Sequence, residues 1–438
     1  MLSTLKNAFK VKSIRNKVLF TLGVLIVFRL GAYITVPGIN AKALQSVASS
    51  GLVSILNTFS GGGLTNYSLF AMGVSPYITA QIIVQLLQMD IVPRFVEWSK
   101  QGEVGRKKLN QVTRILSVVL AFVQSIGITA GFNTLSSLNL VQHPGPATYL
   151  SIGLILTGGS MLTTWMGDMI TDRGIGQGVS MIIFAGIIAR IPVGIQQLYK
   201  EYIVGDSSSE LWQSIIFIVV LFIIVLIIVT FVTWVQQAER RIPIQYTRRE
   251  TGSSDNSYLP LKVNVAGVIP VIFASSFIST PQAILMFFAS KHSGDGWYKI
   301  MSDIFNMQTI PGATLYTFLI IVFTFFYAFV QVNPEKLSKN LQKQGSYISG
   351  VWPGNGTQKY VSKLLMRLSV VGALFLGIVA LIPLVAQNVW NLDESIGLGG
   401  TSLLIVVGVA IQTISQIRGL MMKQEYVGFI KEPRPEDL

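Results

Sequence analysis

The residues that could do chemistry in this largely apolar chain are a few charged and glycine-flanked polar positions. Asp168 follows Gly167 at the end of an apolar stretch, but Trp165 stands where an intramembrane aspartyl protease motif has a further glycine. We expect Asp168 and Asp172 to lie at a membrane interface beside Arg173. These positions predict no catalytic centre, and we expect the protein not to be an enzyme.

Other chemical signals are equally weak. Gly174-Ile-Gly-Gln-Gly178 has the glycines of a nucleotide-binding loop, but it follows an apolar helix rather than a strand, so we interpret it as a tight turn. There is no cysteine, which excludes disulfides, and His143 and His292 are too few for a metal site. The sequence contains no P-loop, and we expect no cofactor.

The elements that carry these residues are apolar spans. Hydrophobic residues make up 51% of the 438 positions and charged residues only 12%, which indicates a polytopic membrane protein. A span needs about 20 mostly apolar residues to cross the bilayer. Ten such spans are predicted, at 18–36, 70–89, 112–132, 149–170, 179–195, 212–235, 265–285, 315–332, 364–387 and 400–419. The predicted fold is therefore all-α.

Orientation follows from the basic residues, which concentrate in loops on one side of the spans. The exceptions are Arg29 and Arg190, which lie more than three residues inside spans, and Lys42, Lys200, Lys291 and Lys299 on the other side. The positive-inside rule then predicts that both termini are cytoplasmic. The long cytoplasmic loops are expected at 236–262 and 333–363.

Ten spans divide into five and five, which predicts an N-terminal half (1–205) and a C-terminal half (206–438). Because five is odd, the halves would have inverted topology. Pro76, Pro270 and Pro383 favour broken or kinked helices near span centres. Gly127 and Gly131 form a GxxxG pattern that permits close helix packing.

The segment 52–66, between the first two spans, is too short to cross the membrane and too apolar for a free loop. Residues 54–59 could form two helical turns before the glycines Gly61–Gly63. We interpret the segment as re-entrant. The alternative is a helix lying on the bilayer surface.

A secondary transporter is the alternative function. Transporters usually carry ionisable residues near the membrane midplane, whereas only Arg29 and Arg190 lie more than three residues from the ends of these spans, and both are displaced toward one end. A lumen without fixed charge has no strong means of selecting one ion, but it could admit chemically diverse cargo.

Several long motifs resemble the SecY family of protein-translocation channels over nearly the whole chain. They are Phe28-Arg-Leu-Gly31, Ser60-Gly-Gly62, Phe70-Ala-Met-Gly-Val-Ser-Pro-Tyr-Ile-Thr-Ala-Gln81, Gly102-Glu-Val-Gly-Arg-Lys107, Gln124-Ser-Ile-Gly-Ile128, Thr171-Asp-Arg-Gly-Ile-Gly176, Leu259-Pro-Leu-Lys-Val-Asn-Val-Ala-Gly-Val-Ile-Pro270, Ile272-Phe-Ala-Ser-Ser276, Asn333-Pro334 and Gly399-Gly-Thr-Ser-Leu-Leu-Ile405.

The resemblance implies a pore between the two halves, closed by an apolar ring and a plug. The ring would comprise Val74, Ile78, Val179, Ile183, Ile272 and Ile405, which together could form a dry seal against ions. The plug would be the segment 52–66, including Ser54, Ile55, Leu56, Phe59, Ser60, Gly61 and Gly62. Taken singly, a valine or isoleucine in a membrane helix more often packs or faces lipid.

The resemblance also implies a lateral gate, with spans two and three on one side and spans seven and eight on the other. Its polar positions would be Thr79, Gln85, Gln124, Asn264 and Ser276, although ordinary helix packing would also explain them.

The implied function is passage of unfolded secretory proteins across the bacterial cytoplasmic membrane and release of transmembrane segments into lipid. Implied partners are the small membrane subunits SecE and SecG, the SecA motor ATPase, the ribosome through its RNA, signal peptides, nascent chains and anionic lipids.

The docking residues would be Arg240, Arg241, Arg248, Arg249, Lys262, Lys336, Lys339, Lys343 and Lys359. The positive-inside rule alone predicts the same charges. Trp352 replaces the arginine that relatives usually carry before Pro353-Gly354, so the motor-coupling role of that position is not transferred.

Overall fold

The computed structural model describes residues 9, 11–40, 60, 62–89, 91–135, 140–141, 143–199, 211–246, 258–292, 295–390 and 400–427. Helices dominate this part of the chain. They are α1 (Lys12–Gly31), α2 (Ser75–Leu87), α3 (Pro93–Lys100), α4 (Glu103–Leu135), α5 (Pro146–Arg173), α6 (Gly178–Tyr199), α7 (Leu211–Gln237), α8 (Ile269–His292), α9 (Gly296–Phe305), α10 (Ile310–Gln331), α11 (Pro334–Lys343), α12 (Asn355–Trp390) and α13 (Gly400–Val427).

Among the described residues, seven helices are long and apolar enough to cross a membrane. Two shorter apolar helices, Ser75–Leu87 and Ile269–Leu285, coincide with the second and seventh predicted spans. Helix α1 coincides with the first predicted span and carries Lys12, Arg15, Lys17 and Arg29. The helical membrane fold is confirmed, and the number of ten spans stays a prediction.

Proline sets two boundaries that hydropathy placed elsewhere. The second span was predicted from residue 70, but α2 begins at Ser75 with Pro76 in its first turn. Helix α8 begins at Ile269 with Pro270 next to it, four residues after the predicted start at 265. Proline lacks an N–H and fits the first turn of a helix, so it permits a helix to start there but not to extend back through it.

A small antiparallel sheet stands where only loops were expected. Strand β1 (Glu239–Tyr246) pairs on one side with β2 (Tyr258–Lys262), with Glu239 opposite Lys262. On the other side it pairs with β3 (Ser346–Ile348), with Ile244 opposite Ile348. Ile242, Leu261, Leu341, Ile348, Val361 and Leu365 form a buried cluster beneath it. The two predicted cytoplasmic loops thus belong to one folded body, and the prediction of a purely helical chain omits it.

The largest buried cluster draws residues from α1, α2, α5, α6, α7, α8, α10, α12 and α13. Helix α8 lies centrally, in contact with α2, α4 and α10. Helix α7 contrasts with α8, because only 6% of its most apolar stretch is buried within the protein. A helix that is apolar all round and exposed within a membrane protein faces lipid or partner helices.

Candidate functional site

The six aliphatic residues predicted as a ring come together in one buried cluster, and we call this set the waist. Val74 immediately precedes α2, Ile78 lies in α2, Ile183 in α6, Ile272 in α8 and Ile405 in α13. None of these five is more than 4% exposed. The sixth, Val179, is partly buried and packs against the same cluster. Four helices that are distant in sequence thus contribute these aliphatic side chains to one large buried cluster.

The chain leading into α2 is anchored beside this region. Ser60 Oγ accepts a hydrogen bond of 3.1 Å from the N–H of Leu64, which is buried. The fully buried Tyr67 shares a hydrogen bond of 2.6 Å between its hydroxyl and Thr129 Oγ1 in α4. The carbonyl of Tyr67 accepts from the N–H of Val36 at 3.0 Å. The end of the predicted plug segment is thereby tied to α4 and to the residues after α1.

Of the predicted plug residues, Ser60 and Gly62 lie in turns. A Cβ on Gly62 would stand 3.5 Å from Nη1 of Arg29, and its φ of +87° favours glycine. Ser54, Ile55, Leu56, Phe59 and Gly61 lie outside the described residues. The prediction of two helical turns over 54–59 therefore stays a prediction.

Two of the predicted gate residues meet at a threonine that the sequence analysis missed. Thr280 Oγ1 in α8 accepts a hydrogen bond of 2.9 Å from Gln124 Nε2 in α4. It also lies 3.1 Å from Thr79 Oγ1 in α2. We call this meeting of α2, α4 and α8 the threonine seam. Ser275-Ser276 and Ser279-Thr280 repeat at a spacing of four, which is the signal that could have identified Thr280.

The helices of the threonine seam approach closely and are weakly bonded. A Cβ on Gly127 of α4 would lie 2.8 Å from the carbonyl oxygen of Ala283 in α8. Pro281 lies inside α8 at the same level. Among the described residues, the buried Ser276 Oγ and Gln85 Oε1 have no hydrogen-bond partner. The seam therefore combines close backbone contact with incomplete polar pairing.

Asn264, the fifth predicted gate residue, lies apart from these hydrogen bonds. Its side chain bonds the carbonyl and the N–H of Gly267 at 3.0 and 3.1 Å, in the segment before α8. It lines a cavity of about 380 Å³ beside the sheet. The other polar side chains of that cavity are Gln177, Gln236, Lys262, Tyr327, Gln331 and Gln412.

The turn 174–177 between α5 and α6 was excluded above as a nucleotide site. Like the threonine seam, it makes a contact between the N-terminal and C-terminal parts of the chain. The N–H of Gly176 donates to Gln416 Oε1 in α13 at 2.7 Å. Thr413 Oγ1 donates to the sulfur of Met181 in α6 at 3.5 Å. We call this contact the glycine-turn seam. Gly176 has a φ of +90°, and a Cβ there would stand 2.9 Å from Met181, so only glycine fits without strain.

The described docking residues are all exposed, on and beside the sheet. Arg240 and Arg241 lie on β1, Lys262 ends β2, Lys336, Lys339 and Lys343 lie on α11, and Lys359 lies in α12. Arg241 donates to Glu239 at 2.7 Å and stacks on Tyr258. Lys339 donates to Glu335 at 2.6 Å and holds the pKa of that carboxyl below its usual value. Arg248 and Arg249 lie outside the described residues.

Asp168 forms an ion pair with an arginine of a neighbouring helix. It accepts a hydrogen bond of 2.6 Å from Arg114 in α4, which ties α5 to α4. Within the described residues, no group of three or more His, Cys, Asp or Glu side chains could hold a metal ion.

The arrangement of helices gives a membrane fold that is shared with solved protein-conducting channels. A solved structure of a protein-conducting channel aligns with a TM-score of 0.67 at 17% identity, covering 96% of this chain and 95% of that one. Sec61 in the canine ribosome–channel complex from the endoplasmic reticulum aligns with a TM-score of 0.62, also at 17% identity, covering 96% and 95%.

Sequence comparison gives the family. The SecY family model matches residues 68–414. Protein translocase subunit SecY 1 of Lactobacillus kefiranofaciens subsp. kefiranofaciens is 64% identical over 431 residues, 98% of this chain and all of the relative. The chain belongs to the SecY family, which confirms the resemblance drawn from its motifs.

Proposed function

We propose that this chain is the channel-forming subunit of a bacterial protein translocase. It conducts unfolded secretory proteins across the cytoplasmic membrane and releases transmembrane segments sideways into lipid. The family, and a 64% identical relative named as a translocase subunit, support this function.

The waist is the observation that carries the proposal. Its side chains are aliphatic, so they form no hydrogen bonds with a passing chain and impose no sequence requirement on it. A constriction lined only by such groups excludes water and ions by dewetting. It acts as a seal that yields to a polypeptide, and the segment 52–66 acts as the plug that backs it.

Lateral release takes place at the threonine seam. Interhelical hydrogen bonds in membranes are worth only about 0.6 kcal/mol each on average. An apolar signal sequence that inserts between α2 and α8 replaces few and weak bonds, and it gains contact with lipid at the same opening. Thr79, Gln124 and Thr280 thus hold the resting seam closed without locking it.

The sheet and α11 form the docking surface for the energy source. Exposed arginine and lysine side chains there suit ribosomal RNA phosphates or acidic groups of the SecA motor. The canine Sec61 structure, which has the same fold, is a ribosome–channel complex. SecE and SecG cover part of the exposed apolar helices, both termini are cytoplasmic, and the halves 1–205 and 206–438 flank the pore.

Reconstitution tests this function. Vesicles that contain this chain with SecE and SecG are expected to take up a preprotein when SecA and ATP are added. Vesicles without this chain, or without ATP, are the controls. Absence of uptake, together with an ion flux driven by a small solute, would replace the proposal with a secondary transporter.

A further inference from the structure

The connector helix α9 (Gly296–Phe305) joins α8 to α10 and leaves an apolar face exposed. Trp297, Ile300 and Met301 are 48%, 59% and 43% exposed. Their spacing of three and four residues places them on one face of a helix. Three large apolar side chains on a single helical face, outside any span, call for a covering partner.

The other residues of α9 define the remaining two sides of the helix. Tyr298 is partly buried, and Phe305 packs against the largest buried cluster, so that side faces the protein. Lys299 and Asp303 are exposed on the remaining side. The helix therefore has three faces: one against the protein, one apolar and one charged.

Exposed apolar side chains also lie on the two helices that flank α9. Phe288, near the end of α8, is 41% exposed, and Ile310, at the start of α10, is 82% exposed. Both helices contact α9. Tryptophan is enriched where a membrane protein crosses from hydrocarbon to water.

We propose that α9 is an interfacial helix that lies in the headgroup region of the bilayer, with Trp297, Ile300 and Met301 directed toward the acyl chains. An apolar face of this kind opposite a polar one is the arrangement of helices that lie in the membrane plane. The charged face carries one lysine and one aspartate, so its net charge is close to zero. Apolar burial therefore holds the helix in place, and attraction to anionic lipid does not.

This position has a consequence for α8. Only residues 293–295 separate α8 from α9, so a helix held at a fixed depth in the interface restrains the adjoining end of α8. Helix α8 carries Thr280. The lipid interface thereby positions one wall of the threonine seam.

Spin labels can test the placement directly, because the chain has no cysteine of its own. Single variants Ile300→Cys, Met301→Cys, Lys299→Cys and Asp303→Cys are labelled in the complete channel complex, in phosphatidylcholine vesicles. We expect labels at 300 and 301 to collide severalfold more with oxygen, which concentrates in lipid, than with an aqueous nickel chelate. Labels at 299 and 303 should show the reverse.

Three outcomes would overturn the proposal. Labels that all favour the nickel chelate would mean that α9 stands in water. Labels at 300 and 301 shielded from both reagents would mean that protein covers the face. Lipid exposure that appears only after anionic lipid is added would mean that charge holds the helix.

A second substitution distinguishes a true lipid contact of α9 from a disturbance that the label itself causes. Adding Ile300→Asp should move the label at position 301 toward the aqueous reagent, because a carboxylate is costly among acyl chains. The matched control Asp303→Asn, on the charged face, should leave it unchanged. Equal shifts from both substitutions would contradict an interfacial helix with one membrane-directed face.

Discussion

The threonine seam and the glycine-turn seam both join residues before 205 to residues after it, but they differ in what they bond. At the threonine seam, side chain meets side chain: Gln124, Thr79 and Thr280 can each rotate away and find other partners. At the glycine-turn seam, a side-chain bond between Thr413 and Met181 is joined by one to the backbone, where Gln416 accepts from the N–H of Gly176 in a turn that has little freedom to move.

The surroundings widen this difference. The turn 174–177 is further held by Thr21, whose Oγ1 accepts from the N–H of Ile175 at 3.0 Å, and Ile175 packs with Ile14 and Ile417. The threonine seam instead has Pro281 next to Thr280, and the buried Oγ of Ser276, one turn earlier in α8, has no hydrogen-bond partner among the described residues. A channel that opens on one side needs one contact that yields and another that stays closed, and we assign these roles to the threonine seam and the glycine-turn seam respectively.

Covalent closure of each seam should give the largest contrast. In the cysteine-free chain, Thr79→Cys with Thr280→Cys is bridged by a short bifunctional thiol reagent, and so is Met181→Cys with Thr413→Cys. The first bridge should abolish preprotein uptake, while the second leaves it near the uncrosslinked rate. Reduced, unbridged samples of each pair are the controls, and equal inhibition by both bridges would remove the distinction between the seams.

The waist should be the next most sensitive region. Ile183→Ser shortens a buried aliphatic side chain and adds a hydroxyl, so water can enter and the resting ion leak of vesicles should rise severalfold. Truncation of such a side chain also costs about 2–5 kcal/mol of folding stability. Ile188→Ser, on the same helix but 41% exposed, is the matched control. Similar leak in both variants would argue against a seal at Ile183.

Gln416→Leu should weaken the glycine-turn seam. It leaves the buried N–H of Gly176 without its acceptor, which costs about 1–3 kcal/mol. Thermal unfolding in detergent should therefore occur at lower temperature, while the preference for preproteins with intact signal sequences stays the same. Loss of that preference would show that this seam, too, takes part in gating.

Thr280→Val should change gating at the threonine seam and leave thermal stability nearly unchanged. It removes two interhelical hydrogen bonds, a change of about 1.2 kcal/mol at about 0.6 each, or roughly eightfold in the balance between closed and open seam. Uptake of a preprotein with a weakened signal sequence should rise, with little change in thermal stability. Thr280→Ser, which keeps the hydroxyl, should behave like the unmodified chain.

Gln85→Leu should give the smallest effect. Its Oε1 is buried without a hydrogen-bond partner among the described residues, so an apolar side chain of similar size loses no hydrogen bond to that atom. We expect unfolding stability to change by less than about 0.5 kcal/mol. The matched change Gln124→Leu removes one of the two bonds to Thr280, so it should shift uptake in the same direction as Thr280→Val but by about 0.6 kcal/mol, roughly threefold. A strong phenotype for Gln85→Leu would mean that this residue gains a partner when the seam opens.

The sequence was sufficient for the membrane helices, because apolar runs of membrane length predict spans directly. The waist was assigned by family register, which selects Val74, Ile183 and Ile405, and its role as a pore ring stays a prediction. Predicted helix bounds were less accurate where Pro76 and Pro270 set them, because a hydropathy scale does not register that proline lacks a backbone N–H.

The contacts between distant residues could not be predicted in the same way. Gln416 and Gly176 are 240 positions apart, and Gln124 and Thr280 are 156 apart. No local pattern encodes such pairs. The sheet was missed because the alternation in Glu239-Arg-Arg-Ile-Pro-Ile-Gln-Tyr246 is interrupted by proline and rich in charge, and its pairing with Ser346–Ile348 is non-local.

Distances across the two seams test the central claim most directly. Spin labels are placed at the exposed pair Val123→Cys and Phe277→Cys beside the threonine seam, and at Asp172→Cys and Arg418→Cys beside the glycine-turn seam. On binding of a signal peptide to the reconstituted complex, the distance between labels 123 and 277 should lengthen, while that between labels 172 and 418 stays constant. A constant distance at the first pair, or lengthening at the second, would contradict the account.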